Sequence, residues 1–288
     1  MKMRLLTLAS LVFCLQANMA ISQKQFTLEA LEDHPDFEVS VEAKGGYGDQ
    51  SIVLRISSNH RKDIELLIPA GTVFFTKDED HQILITVEEE LIAIGKEQQR
   101  KKILDGYCTE ASDGVPGAEM AMNYQPTQRE KLQHLANFLN RHRGIDPHAI
   151  QEAVWCVSDG NPLSYIHGEN AKKTKLLTQF VAALTDQELP WNTVQRRHRI
   201  NDGRIESQAV LVTGQISFST SKETTIKGKI LDADGQVIND DLDTMTLPKT
   251  TSARLNFSLS VSGWDAGMYK VIYYDQDGQV LLQKAFEI

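Results

Sequence analysis

The chain is short of cysteine, of positive charge and of long apolar runs. Its 288 residues include 3 cysteines, and 30 basic residues stand against 39 acidic ones, for a net charge of −9. Three cysteines are too few for a disulfide scaffold. An acidic chain without a long basic face lacks the clustered Lys and Arg that neutralise phosphates, which excludes nucleic acid as a partner class. The length itself predicts two domains with ordinary hydrophobic cores.

The N-terminal residues have the composition of a secretory signal. Lys2 and Arg4 precede an apolar stretch that ends at Leu15, and Ala20 and Ser22 supply the small residues of a cleavage site after Ser22. A positive start, about 7–15 apolar residues and small residues at the cleavage site define such signals. We therefore expect a signal peptide over residues 1–22 and an exported protein at the cell surface, in the periplasm or in the medium. The stretch is too short to span a bilayer, and no later segment predicts a transmembrane helix.

Cleavage of that signal would change the net charge and the number of cysteines. Loss of Lys2 and Arg4 leaves 28 basic residues against 39 acidic ones, so the net charge becomes −11. Loss of Cys14 leaves Cys108 and Cys156, which in an oxidising compartment predict one disulfide by default.

Residues 23–190 predict a β-sandwich that carries a helical subdomain. Short runs in the first half alternate apolar and polar residues and are separated by turn residues. These runs are 37–41, 52–56, 64–68, 73–75, 83–87 and 91–94. From Thr127 the apolar spacing becomes helical and predicts three helices. A capping box at Thr127 and Glu130 starts the first, and Asp146-Pro147 starts the second.

Residues 209–288 return to strand alternation and predict an immunoglobulin-like β-sandwich. Asp232–Val237 and Asp275–Val280 share an Asp-x-Asp-Gly pattern that is typical of hairpin turns, and we interpret both as turns rather than calcium loops. The polar and basic residues 191–208 between the domains predict a solvated linker. The expected fold class is therefore mainly β, with a helical insertion in the first domain.

Two short motifs in the first domain resemble those of the bacterial surface thioester domains. The segment Ile150-Gln151-Glu152-Ala153-Val154-Trp155 is similar to their TQxA-type signature, and Tyr107-Cys108 is similar to their upstream cysteine motif. The resemblance covers roughly residues 37–190. It implies an internal thioester between the sulfur of Cys108 and the side-chain carbonyl of Gln151. Such a bond is a stored acyl group that a nucleophile on a target attacks, which would make the chain a covalent adhesin.

Cys108 has a second candidate partner in Cys156. At about 100° per residue, Gln151 and Cys156 lie roughly 140° apart around a helix, so Cys108 can meet one of them but not both. The sequence leaves three states open. They are a Cys108–Cys156 disulfide, two buried free thiols, and the Cys108–Gln151 thioester.

The end of the chain carries a weaker resemblance. The run that begins at Gly263-Trp264-Asp265 and ends at Ile288 is similar to the C-terminal sorting domains of proteins that use the type IX secretion system, and also to immunoglobulin-like domains in general. The first of these likenesses implies secreted cargo whose last domain is a sorting module.

No complete catalytic, cofactor-binding or metal-binding set stands out. The spacing of His134, His142 and His148 predicts solvated surface side chains rather than a metal site. We therefore expect a non-catalytic binding or adhesion protein, with an unknown surface protein or glycan as its partner. Covalent adhesion and secreted cargo are the alternatives, and an exported hydrolase is a more distant one.

Overall fold

A computed structural model describes residues 25–78 and 80–288 of the chain. The predicted signal peptide at residues 1–22 lies outside the described residues. Among those described, no helix is long and apolar enough to cross a membrane. The fold is mainly β with a helical insertion, as the sequence predicts.

The first domain is built from two sheets. One has six strands in the order β2-β3-β8-β6-β5-β9, and the other has three in the order β1-β4-β7. The strands are β1 (Gln25–Phe26), β2 (Phe37–Ala43), β3 (Gly48–Ser58), β4 (Ile64–Ile68), β5 (Thr72–Phe75), β6 (Leu84–Ile85), β7 (Glu90–Ile94), β8 (Gln99–Cys108) and β9 (Asn123–Pro126). The alternation predicted strands close to β2 through β7. Strands β2, β4 and β7 bury roughly every second side chain, whereas β3, β5 and β6 also bury consecutive residues because both of their faces are covered.

The helical part follows the sheets in the sequence and covers one side of them. Its helices are α2 (Glu130–Arg141), α3 (Pro147–Ser158) and α4 (Ala171–Thr185), with a 3₁₀ turn at Leu163–Tyr165. The predicted start of α3 is confirmed, since the side chain of Asp146 accepts a hydrogen bond from His148 N. The start of α2 differs from the prediction, because its N-cap is Arg129 and no side chain caps it. A short helix α1 (Leu28–Glu32) near the first strand was not predicted.

The second domain packs two antiparallel sheets face to face. Strands β10-β11-β14 form one sheet and β13-β12-β15-β16 the other. Their bounds are β10 (Asn192–Asn201), β11 (Arg204–Thr220), β12 (Thr224–Leu231), β13 (Val237–Leu247), β14 (Thr250–Ser260), β15 (Met268–Asp275) and β16 (Val280–Glu287). Both predicted Asp-Gly turns are present. The side chain of Asp232 accepts from Gln236 N, and that of Asp275 accepts from Gln279 N.

The segment predicted as a solvated linker is instead a β-hairpin. Residues 192–201 pair with 204–214 in one antiparallel ladder from Asn192↔Gly214 to Asn201↔Arg204. The base of this hairpin belongs to the second sandwich. Its tip reaches the first domain, where Val115 N donates to Gly203 O at 2.6 Å. Arg197 and Arg199 are exposed, as a solvated segment would have them, but strand alternation turns the side chain of His198 between them toward the first domain.

Three apolar clusters divide the interior. One lies between the sheets of the first domain, one between those sheets and the helices, and one inside the second sandwich. Helix α3 contributes to two of them, because Trp155 packs in the cluster between the sheets while Cys156 packs in the helical cluster. Helix α3 therefore lies between the two apolar clusters of the first domain.

Gly228 supplies a test of packing in the second sandwich. A Cβ at this position would lie 2.8 Å from Tyr273 Cε1 and 2.9 Å from Leu242 Cδ1. Overpacking of this kind costs about 1–3 kcal/mol, so we expect Gly228→Ala to lower the free energy of unfolding by that amount in urea denaturation. Gly117→Ala is the control, since its Cβ would have 3.4 Å to Met120 Sδ, and its stability should change by less than about 0.5 kcal/mol. Equal stabilities of the two variants would contradict the described packing.

Candidate functional site

Cys108 is the last residue of strand β8, and its backbone N–H and C=O face a side of the strand on which no neighbouring strand pairs with it. It lies opposite Leu84 of β6, and the neighbouring hydrogen bond runs from Thr109 N to Ile83 O at 2.9 Å. In an antiparallel ladder this makes Leu84 and Cys108 a non-hydrogen-bonded pair, so the N–H and C=O of Cys108 point away from β6. Strand β3 begins at Gly48, opposite Gly106, and does not extend to the Cys108 position.

The side-chain amide of Gln151 occupies that edge. Cys108 N donates to Gln151 Oε1 at 3.0 Å, and Gln151 Nε2 donates to Cys108 O at 2.9 Å. Cys108 is 0 % exposed and Gln151 is 2 % exposed. The amide therefore continues the β-ladder in place of a strand, and it satisfies two backbone groups that would otherwise be buried without partners. The structure thus brings together the two residues of the thioester resemblance.

Helix α3 also packs closely against the other helical elements through small residues. Ala149 and Ala153 are both fully buried, lie about 160° around the helix from Gln151, and belong to the cluster between the sheets and the helices. Trp155, one turn beyond Gln151, packs against Tyr47 with ring centroids 6.1 Å apart. Tyr47 belongs to the loop between β2 and β3, so this loop packs against the core cluster that contains Cys108 and Trp155.

Cys156 lies on the other side of the helix. Its Sγ contacts Pro162 O at 3.4 Å, and the structure describes Cys108 and Cys156 as free, buried thiols. Of the two partners that helix geometry offered, Cys108 meets Gln151, and the Cys108–Cys156 disulfide expected by default is not present in the described residues. Burial is the main cause that raises the pKa of both thiols above the usual range, with Glu110 adding to the effect at Cys108 and Glu152 at Cys156.

Beside this pair lies a polar cluster that the sequence did not predict. Glu152 is 0 % exposed, and its Oε1 lies 2.8 Å from His198 Nε2 and 4.0 Å from His148 Nε2. The three residues are grouped closely enough to share a metal ion. His134 and His142 are exposed, as predicted, but His148 is partly buried and the prediction of a solvated side chain is wrong for it. The available signal was the spacing of His148 and Glu152, which places them on one face of a helix.

Burial gives these groups a low-dielectric environment. Burial, and then the neighbouring His167 and His198, lower the pKa of His148 to about 4, so its imidazole is neutral at neutral pH. Burial, and then the charges of Cys108 and Glu152, raise the pKa of Tyr47 above its usual range. Tyr47 thus lies within electrostatic range of both the cysteine and the polar cluster.

A cleft of about 680 Å³ opens next to the cluster. His148 and His167 line one end, and Trp191 and Thr213 of the second sandwich line the other. The cleft therefore lies where the helical part meets the β10–β11 hairpin, and it gives solvent a route toward His148.

No protein-family model matches the chain, and no curated protein sequence matches it. Among solved structures, a β-glucosidase from Kluyveromyces marxianus is similar over 82% of this chain and 44% of that chain, at 9% identity and a TM-score of 0.22. A red sea bream transglutaminase is similar over 90% of this chain and 32% of that chain, at 9% identity and a TM-score of 0.20. The chain thus spans less than half the length of either structure, and at these scores neither likeness assigns a fold or a function.

The amide–backbone pairing predicts a large effect for Gln151→Ala. The substitution leaves the N–H and C=O of Cys108 buried without partners, and each such group costs about 1–3 kcal/mol. We expect the free energy of unfolding to fall by about 2–5 kcal/mol in urea denaturation. Cys108→Ala keeps both backbone hydrogen bonds and should cost less. A Gln151→Ala protein as stable as Cys108→Ala would contradict the bridging role of the amide.

Proposed function

We propose that this chain is an exported surface-binding protein that attaches covalently to its target through an internal Cys108–Gln151 thioester. The observation that carries the proposal is the pair of hydrogen bonds between the Gln151 amide and the Cys108 backbone. They hold the amide carbon of Gln151 beside the residue that carries the thiol. The basic and apolar composition of residues 1–22 supports export.

Formation of the bond is a condensation within the chain. The sulfur of Cys108 attacks the amide carbon of Gln151, the C–Nε2 bond breaks, and the thiol proton leaves with the nitrogen as ammonia. The hydrogen bond from Nε2 to Cys108 O is lost in this step. The hydrogen bond from Cys108 N to Oε1 keeps the carbonyl oriented and polarised, because it donates to the oxygen on which negative charge develops.

Attachment then transfers the acyl group. An amine or hydroxyl on the target attacks the thioester carbon, the C–S bond breaks, and Cys108 regains its proton. The product is an amide or ester bond between Gln151 and the target. Proteins and glycans at a cell surface carry such nucleophiles, which agrees with the partner classes expected from the sequence.

Burial supports the storage of such a bond. Cys108 and Gln151 are almost fully enclosed, and Tyr47 and Trp155 pack over the same region. Exclusion of water protects an activated acyl group from hydrolysis. A target nucleophile would reach the bond when the loop that carries Tyr47 moves aside.

Mass spectrometry of the purified protein tests the proposal. A thioester lowers the intact mass by about 17 Da, the mass of the ammonia that is lost. Methylamine should then add about 31 Da to the thioester form, and proteolysis should locate the added group at Gln151. Both signals depend on the thioester itself and not on the fold alone.

Two cysteine variants provide the comparison. Cys108→Ala should show no mass loss and no methylamine uptake, whereas Cys156→Ala should behave like the unaltered protein because Cys156 lies in the helical cluster. A full calculated mass in freshly purified protein, with no methylamine uptake, would refute covalent attachment. The chain would then be a non-covalent binding protein in which Gln151 serves only the β-ladder.

A further inference from the structure

We propose that His148, Glu152 and His198 form a binding site for a divalent transition-metal cation, with Zn²⁺ as the best match. The site joins helix α3 of the first domain to strand β10 of the hairpin. It does not depend on the thioester, since none of its three residues takes part in that bond.

The spacing of the ligand atoms fits a small cation. One ligand atom from each residue lies within 4.8 Å of the other two. Zinc bonds of about 2.0–2.1 Å in a tetrahedral site place neighbouring ligand atoms roughly 3.3–3.4 Å apart. The separations of Glu152 Oε1 from His198 Nε2 and from His148 Nε2, at 2.8 and 4.0 Å, lie on either side of that value. Small side-chain rotations would therefore equalise them.

The cluster contains polar atoms that the described chain does not satisfy. Glu152 Oε2 and His148 Nε2 are buried, and neither has a hydrogen-bond partner among the described residues. A buried carboxylate with an unpaired oxygen is costly unless a cation or another donor neutralises it. A divalent ion bound through Oε1 would neutralise the charge of the carboxylate and give the His148 nitrogen a partner.

The ligand types favour zinc over the hard cations. Imidazole nitrogens with one carboxylate suit Zn²⁺ and its first-row neighbours, whereas Ca²⁺ and Mg²⁺ take mainly oxygen ligands. Three protein ligands leave one position of a tetrahedral ion for water or an external ligand. His148 borders the cleft beside the cluster, which gives both the ion and such a ligand a route in.

A second group of similar residues supplies an internal control. His34, Asp36 and His60 also lie close together, but all three are partly exposed. Their ring nitrogens are engaged locally, since His34 Nδ1 accepts from Asp36 N and His60 Nδ1 lies 3.0 Å from Lys62 O. This group lacks a buried unpaired carboxylate, so we assign the metal to the His148–Glu152–His198 cluster.

Metal titration of the full chain, purified without a histidine tag and treated with EDTA, tests the site. Calorimetry with Zn²⁺ alone should give one ion per chain, and Co²⁺ should give visible absorption bands of a tetrahedral N/O site. His148→Ala and Glu152→Gln should each weaken Zn²⁺ binding beyond the roughly 10–100-fold that the loss of an outer-sphere partner causes. His60→Ala should bind Zn²⁺ as the unaltered protein does.

The results of these titrations decide whether the three residues bind a metal ion. If Glu152→Gln fails to fold, His148→Ala decides, because the His148 side chain is partly exposed and its loss leaves the pair of Glu152 and His198 intact. In that case a His148→Ala protein that folds but no longer binds Zn²⁺ is sufficient to support the assignment. No Zn²⁺ binding by the unaltered protein, unchanged binding in His148→Ala, or lost binding in His60→Ala would each overturn it. In the first case Glu152 and His198 form only a buried hydrogen-bonded pair between the domains.

Discussion

The hydrogen bonds between the Gln151 amide and the Cys108 backbone fix how the first domain is assembled. Strand β8 has an unfinished edge at Cys108, and a buried edge must be satisfied by some other part of the chain. The amide that does so belongs to helix α3, which therefore cannot slide or rotate without breaking both bonds. Trp155 is thereby directed into the core between the sheets and Cys156 into the core beneath the helices.

The same constraint determines where Glu152 lies. It follows Gln151 directly, so a helix that presents the amide to the sheet turns the carboxylate by about 100°, toward the hairpin. A carboxylate at this depth needs a partner, and His198 provides one at 2.8 Å. The buried polar groups of α3 thus serve two junctions, one with the sheet of its own domain and one with the second domain.

Local sequence patterns predicted the elements of this fold better than the contacts between them. The alternation that marks β2 through β7 and the Asp146-Pro147 start of α3 depend on neighbouring residues, so a single sequence shows them. The Cys108–Gln151 proximity came from a resemblance of two motifs and not from periodicity. His198 is 46 residues from Glu152, and no local pattern indicates that the two meet. The sequence did not predict the hairpin at 192–214 for a related reason, because arginines dominate the composition of its first half while few of the residues there are buried.

The β10–β11 hairpin also has a mechanical consequence. Its base is part of the second sandwich, while its tip is bonded to the first domain at Gly203 and its middle is held by His198. These contacts are separated along the hairpin. The second sandwich could therefore turn relative to the first domain only by breaking the Val115–Gly203 hydrogen bond, the Glu152–His198 contact or both.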